Sequence, residues 1–464
     1  MNRTLFSVFL AAAAAWGALT PAGGWGEDAI AAKVKNATKS MAFESTKISG
    51  SLNSTYQFRS YDGREDNDLY EFLSLRVKDI YKDYIDGAFS MSWHEDLDGV
   101  SRLNAGEKYD PYQELDLSAG ARFRYYAGYI DFKKVIFDDS VLRVGRQYLE
   151  EIDNVHFDGA SYRFSPSEPV DISLFGGQPI TYYSSLDGEA VYGTNLQFQL
   201  ARATRAAVRY YRYDADSYRD DLSAVEVWHA FQPNLQSHAK FTLLDAEPYM
   251  FSGDLFARVE TMDLDAIVHI TRLMNPVSDH TINFDPYFPL LNGYEPFTYG
   301  SLNLTKGLGQ YVSLVGGFDL READSAYDPV SDYLNKDYWR VTGGVEFYPT
   351  EQLTLSVNGE YWDVDSKDRF TGITGEVEYR PCKKWTLSAG VDYGEYVQVY
   401  RDEFLYLFGQ DETFRITPDA VTYYARVRWK PAAKIYAGAS FEVEDNDWDN
   451  DNWYSFRLEL GSRF

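Results

Sequence analysis

Cysteine is all but missing: Cys382 stands alone in 464 residues. No internal disulfide can brace the chain, and neither a Cys-x-x-Cys-His haem attachment nor a cysteine-rich zinc motif can be written in it. Histidine is nearly as scarce, and His94, His156, His229, His238, His269 and His280 are scattered without a His-Glu-x-x-His pair to hold zinc. Base is short relative to acid, 44 Lys+Arg against 71 Asp+Glu, for a formal charge of −27. Such a chain does not bind nucleic acid by neutralising phosphates, so no nucleic-acid partner is expected; cations, basic partners or anionic surfaces bridged by divalent ions stay open. Long apolar runs are missing too. After residue 26 nothing approaches the roughly 20 residues of a transmembrane helix, and no amphipathic helical period of useful length interrupts the chain.

Aromatic residues, by contrast, are abundant: 10 Trp, 38 Tyr and 29 Phe are too many for a disordered acidic chain. The N-terminus has Arg3, an apolar stretch from Leu5 to Leu19, then Thr20-Pro-Ala-Gly-Gly-Trp-Gly26. That pattern predicts a secretory signal peptide over residues 1–26, cleaved after Ala22 or Gly26. Residues 27–46 then form a short periplasmic segment, and 47–464 the folded body.

From about residue 47 to the end, apolar and polar residues alternate with period two, the mark of half-buried strands. In Lys434-Ile-Tyr-Ala-Gly-Ala-Ser-Phe-Glu-Val-Glu444, Ile435, Ala437, Ala439, Phe441 and Val443 share one face, and Tyr436, Gly438, Ser440, Glu442 and Glu444 the other. Connections alternate in length. Short ones such as Tyr348-Pro-Thr-Glu-Gln352 and Arg380-Pro-Cys-Lys-Lys384 are interleaved with long acidic ones near 97–118, 273–296, 321–336 and 395–418. This predicts an all-β fold, a closed antiparallel transmembrane β-barrel of about 22 strands, with short periplasmic turns and longer extracellular loops. The weakest pair of strands, near 251 and 263, would leave 20 if absent. Aromatics at strand ends predict two interfacial girdles, Tyr348, Trp385, Trp429 and Phe464 at one and Tyr361, Trp362, Tyr393 and Trp453 at the other.

The chain ends in Tyr454-Ser-Phe-Arg-Leu-Glu-Leu-Gly-Ser-Arg-Phe464, with Tyr454, Phe456, Leu458, Leu460 and Phe464 on one face. A terminal Phe behind alternating apolar residues resembles the assembly signal of bacterial outer-membrane barrels, although Ser462 stands where another apolar residue is usual. Leu142-Arg-Val-Gly-Arg-Gln147 followed by Val155-His-Phe-Asp-Gly-Ala160 is similar to a Gly-Arg-Gln and Asp-Gly pattern of outer-membrane porin and alginate-export-type families. The resemblance implies a porin of the cell outer membrane, contacts with outer-membrane lipid and lipopolysaccharide, and the barrel assembly machinery as a partner. It also implies that Arg143 or Arg146 carries a lumen charge; a cross-strand ion pair is the competing reading.

Twenty-two strands close to a diameter on the order of 40 Å, too wide for side chains to fill. Arg209, Arg340, Arg426, Arg428, Glu346, Glu360, Glu376, Glu378 and Glu442 read as inward on the alternation. Rings of charge facing water set ion selectivity, and the excess of acid predicts cation preference. The first expectation is a passive diffusion channel, as a single chain or with identical subunits. The second is a sheath around a multihaem cytochrome for electron transfer across the membrane, which would need no haem motif of its own. An outer-membrane lipase or protease is disfavoured, because no nucleophile and base share a compact constellation; no enzyme activity, resident metal or cofactor is expected. The acidic runs Asp62-Gly-Arg-Glu-Asp-Asn-Asp68 and Glu444-Asp-Asn-Asp-Trp-Asp-Asn-Asp-Asn452 offer oxygen ligands to Ca²⁺ but lack the glycine and distal Glu of a calcium loop.

Overall fold

The computed structural model describes residues 46–61, 64–81, 83–97, 123–149, 155–180, 189–214, 219–275, 295–324, 335–401, 413–447 and 452–464. The signal peptide and nearly all of the 27–46 segment lie outside the described residues, as does His280. Strands account for almost everything described. They are β1 (Lys47–Tyr61), β2 (Arg64–Tyr81), β3 (Ile85–Asp96), β4 (Phe123–Lys133), β5 (Val141–Leu149), β6 (Val155–Ser167), β7 (Val170–Pro179) and β8 (Ala190–Ala201). There follow β9 (Thr204–Asp214), β10 (Arg219–Gln232), β11 (Leu235–Leu244), β12 (Glu247–Val259), β13 (Leu264–Leu273), β14 (Phe297–Gly307), β15 (Val312–Ala323) and β16 (Tyr338–Thr350). The chain finishes with β17 (Leu353–Val364), β18 (Arg369–Cys382), β19 (Trp385–Arg401), β20 (Thr413–Ile416), β21 (Asp419–Ala432), β22 (Ile435–Asn446) and β23 (Trp453–Arg463). The doubtful pair near 251 and 263 is present as β12 and β13.

Each strand runs antiparallel to the next, and β23 returns to β1, pairing Ser51 with Arg463 through to Ser60 with Tyr454. Gly50 and Phe464 exchange both backbone hydrogen bonds at 3.1 Å, which fastens the seam at its end. β19 pairs directly with β21, so 22 strands form the ring. β20 stands outside it, paired with β19 at Gln398–Arg401. Part of the expected 395–418 connection is therefore strand: β19 continues to Arg401 and β20 folds back on it. Closure follows from the medium. In hydrocarbon an unpaired backbone group costs several kcal/mol, so a spanning sheet leaves no free edge.

Alternation decides which side each residue meets. Val345, Val357 and Val377 on the neighbouring strands β16–β18, and Leu460 on β23, are all exposed, at 45%, 58%, 46% and 58%. They share the outer face, as do Phe318, Val341, Val427 and Phe441. A greasy surface of this extent turned outward is the reverse of a soluble protein and matches a lipid-facing belt. No described helix is long and apolar enough to cross a membrane; the strands do the crossing. Trp385 and Trp429 stack at 5.7 Å on this face beside short turns, with Tyr361 and Tyr393 toward the other end. Three expected girdle residues point the opposite way. Trp362, Tyr348 and Trp453 face inward, where Trp362 donates to Glu360, Tyr348 donates to Glu346 and Trp453 stacks on Tyr61 at 4.2 Å.

The interior is not evenly open. Val155, Phe157, Phe175, Val191, Tyr211, Tyr213, Leu222 and Ala224 all project inward from β6–β10 and form one buried cluster. Along this wall aromatic and branched residues pack on one another.

At the long-loop rim the Asp368 carboxylate ties three strands together. It accepts hydrogen bonds from Lys336 Nζ at 2.5 Å, Ser366 Oγ at 2.6 Å and the Val399 backbone N–H at 2.6 Å. Burial works to raise the Asp368 pKa, but these donors outweigh it and hold the group below the usual carboxylate range. A carboxylate depressed on folding contributes stability above its unfolded pKa of about 3.9 and loses it as pH falls through the folded value. The protection factor of the Val399 amide, the unstructured exchange rate over its own at the same pH, should therefore fall when the pH drops below about 4. Asp368→Asn should exchange fast already at neutral pH and lose that acid response; an unchanged profile would show that the knot bears no load.

Candidate lumen wall

Ten of the eleven expected charges stand on the inner face by register, Arg146 being the exception. Arg340 pairs with Glu360 at 3.1 Å and lies 3.7 Å from Asp319. Arg426 meets Glu442 at 3.3 Å, Arg428 lies over the Tyr436 ring, and Glu376 accepts from Tyr424 Oη at 2.7 Å. Glu378 pairs with Arg380 at 2.5 Å beside a short turn, and Glu346 holds Tyr348. Arg209 is buried against Glu226.

Arg143 and Arg146 are three residues apart, so in a period-two strand they take opposite faces. Arg143 points inward and forms a two-pronged bond to Asp131, at 2.7 and 3.0 Å. Arg146 shares the outer face with Val144 and grips Asp158 at 2.8 and 2.6 Å. As a lumen charge Arg146 is therefore corrected. The register also accounts for the motif that contains it. Gly145 lies directly opposite Gly159, Arg146 opposite Asp158, and the buried Gln147 accepts from Ser161 Oγ at 2.6 Å. A Cβ on Gly159 would sit 2.2 Å from the Gly176 carbonyl oxygen, and Gly145 has a φ of +128°. The two halves of the pattern are one cross-strand clamp where neighbouring backbones leave no room for a Cβ.

The acidic run near Asp68 is likewise internal. Asp66 and Asp68 both bind Arg59, and Asp68 holds His94 Nε2 at 2.6 Å. Committed to these partners, they are not the open oxygen ligands of a calcium-binding loop tip. Of the Glu444–Asn452 run, residues 448–451 lie outside the described residues.

One array escaped sequence reasoning. Across β9–β13, Arg209 contacts Glu226, Glu226 meets His238 Nε2 at 2.6 Å, and His238 Nδ1 meets Asp254 at 3.0 Å. Asp254 then meets His269 Nδ1 at 2.6 Å, and His269 Nε2 meets Thr271 at 2.8 Å. His238 has carboxylate oxygens at both ring nitrogens. Imidazoles alternate with carboxylates along the array, so Glu226 and Asp254 are each held by ring nitrogens. Each member is an inward position of its strand; only the register places them side by side.

A second pattern is aromatic rings laid flat on inward glycines. A Cβ on Gly390 would fall 2.3 Å from the Tyr424 ring, one on Gly461 2.1 Å from Tyr436, and one on Gly372 2.8 Å from Phe370. The glycines seat the rings against the wall, so many aromatics fit inside without closing the bore.

On β14–β22 the wall hollows into a cavity of 530 Å³. Glu360, Asp392 and Glu444 line it together with Asn303, Asn358, four threonines and the rings of Phe370 and Tyr396; no Lys or Arg is among its described lining residues. Its lining differs from the array on β9–β13, where Arg209 sits against a carboxylate.

A closed ring of 22 antiparallel strands, apolar outside and polar inside, with short turns at one end and long connections at the other, is a multi-pass β-barrel of the bacterial outer membrane. No family model matches the chain, and no curated protein matches it. Among solved structures it is similar to a BenF-like porin from Pseudomonas fluorescens Pf-5, at 10% identity and a TM-score of 0.43, covering 91% of this chain and 99% of that one. It is also similar to Pseudomonas aeruginosa OpdO, at 10% identity and 0.42, covering 91% and 97%, and to Pseudomonas aeruginosa OpdK with vanillate, at 11% and 0.41, covering 91% and 99%.

Proposed function

We propose that this barrel is a passive channel for small hydrated solutes and that it prefers cations. The observation that carries the reading is the hollowed wall of β14–β22, where three carboxylates face the bore without a described Lys or Arg among the lining residues. In a water-filled passage walled by low-dielectric material, such a surface raises the local cation concentration and repels anions. A sheath for a multihaem protein fits less well, because the packed cluster of β6–β10 occupies space that an inserted partner would need. The terminal strand supports recognition by the assembly machinery: Tyr454, Phe456, Leu458, Leu460 and Phe464 share the outer face, free of lumen contacts.

The test is conductance of the purified barrel in planar bilayers under a KCl gradient. The reversal potential should have the sign of K⁺ selectivity, and Asp392→Asn with Glu444→Gln should move it toward zero. A barrel that inserts but passes no current would defeat the channel reading; a chloride-selective one would defeat the preference.

A further inference from the structure

Four inward rings run side by side across β16–β19. Tyr338 stacks on Trp362 at 5.8 Å, Trp362 meets Phe370 edge-on at 6.3 Å, and Phe370 meets Tyr396 at 4.7 Å. The ribbon ends at the acidic cavity, and there the wall has two chambers. The 530 Å³ cavity holds Asp392, Glu444 and the threonines. A second, of 420 Å³ and nearer the long-loop rim, is lined by Trp362, Val364, Val397 and Val399 together with Asp368, Arg369 and Gln398. Glu360, Phe370 and Tyr396 belong to both and form the waist between them.

We infer that this double chamber is a binding site for organic cations, an ammonium group joined to a hydrocarbon or ring body. The inference deepens the channel reading and rests on it for its purpose. The chemistry divides along the chambers. An ammonium in the lower one meets Asp392 and Glu444; the donors to Glu444 there are neutral, Thr422 Oγ1 and Asn446 Nδ2, both at 3.4 Å. Glu360 is partly balanced by Arg340 at 3.1 Å, so the other two carboxylates supply most of the attraction. At the waist the faces of Phe370 and Tyr396 receive the cation by its attraction to aromatic rings. The upper chamber offers the ligand body Trp362, Val364, Val397 and Val399, while its charged residues have partners: Asp368 accepts from Lys336, Ser366 and the Val399 N–H, and Arg369 pairs with Asp363 at 3.3 Å. Each chamber lies within the roughly 300–1,000 Å³ usual for small-molecule sites.

Rigidity favours binding over mere passage. The Phe370 ring lies over two glycines, and a Cβ would reach it within 2.8 Å from Gly372 and 2.9 Å from Gly394. Trp362 is fixed by its bond to Glu360 and by Tyr338. A ring held in place loses little freedom when a ligand settles on it.

Isothermal titration of the full barrel in a non-ionic detergent, with benzyltrimethylammonium chloride as the probe, tests this directly. Benzyl alcohol and sodium benzoate serve as neutral and anionic probes of similar shape. Saturable binding of the cation is expected, at least ten-fold tighter than of either comparison compound. Asp392→Asn with Glu444→Gln should weaken it ten-fold or more, and Phe370→Ala several-fold, with folding of each variant verified by its heat-modifiable migration on gels. Equal binding of benzyl alcohol, preference for benzoate, or cation binding untouched by the folded variants would each overturn the site. The same preparations in planar bilayers separate the two ideas. Conductance without cation binding removes the site and leaves the channel; binding without conductance removes the channel and leaves the site.

Discussion

Arginine at position 357 is expected to cost the barrel about 2–4 kcal/mol, while arginine at the adjacent position 356 costs little. Val357 projects outward at 58% exposure, in a row with Val345 and Gly375. A guanidinium there must enter hydrocarbon or drag headgroups and water inward. Ser356 points the other way, directly between Glu346 and Glu376, and a positive group there gains two carboxylate neighbours in water. Urea unfolding of V357R and S356R in lipid vesicles measures both. Equal costs would mean that the two faces of β17 meet the same medium, and the spanning barrel would have to be abandoned.

Removing the Glu226 side chain is the other large effect. Arg209 is 9% exposed and Glu226 5%, and breaking a buried pair by deleting one member costs about 3–5 kcal/mol because the survivor keeps an uncompensated charge. Glu226→Ala also takes a carboxylate from His238. Combining it with Arg209→Met should recover much of the loss, since neither charge is then left alone. If the double variant is as unstable as the single one, the penalty belongs to packing and not to the orphaned guanidinium.

Period-two alternation made the strands legible, because every spanning segment must separate lipid from water. It also placed Arg340, Glu360 and their like on the inner face. Alternation says nothing about which residue of one strand stands beside which of the next. The chain from Arg209 to His269 depends on register across five strands, as does the coupling of Gly145-Arg146-Gln147 to Asp158-Gly159. Counting along β5 was sufficient to show that Arg143 and Arg146 oppose each other. β4 could not have been treated that way, because a bulge at its pairing with Ser90 and Met91 breaks the count. Trp362 was misassigned for another reason: aromatic residues near strand ends suit headgroups, yet they suit a wet wall with a carboxylate beside them equally well.

The packed cluster on β6–β10 separates two quantities that are easily merged. Strand number sets the girth of the cylinder; what leans in from its wall sets the bore. Among the described residues a packed cluster leans in from β6–β10, while carboxylates face the bore from β14–β22. On the channel reading, what a solute meets is then decided by the flank it passes, and a barrel of this girth can discriminate by its wall as a narrower one does by its width.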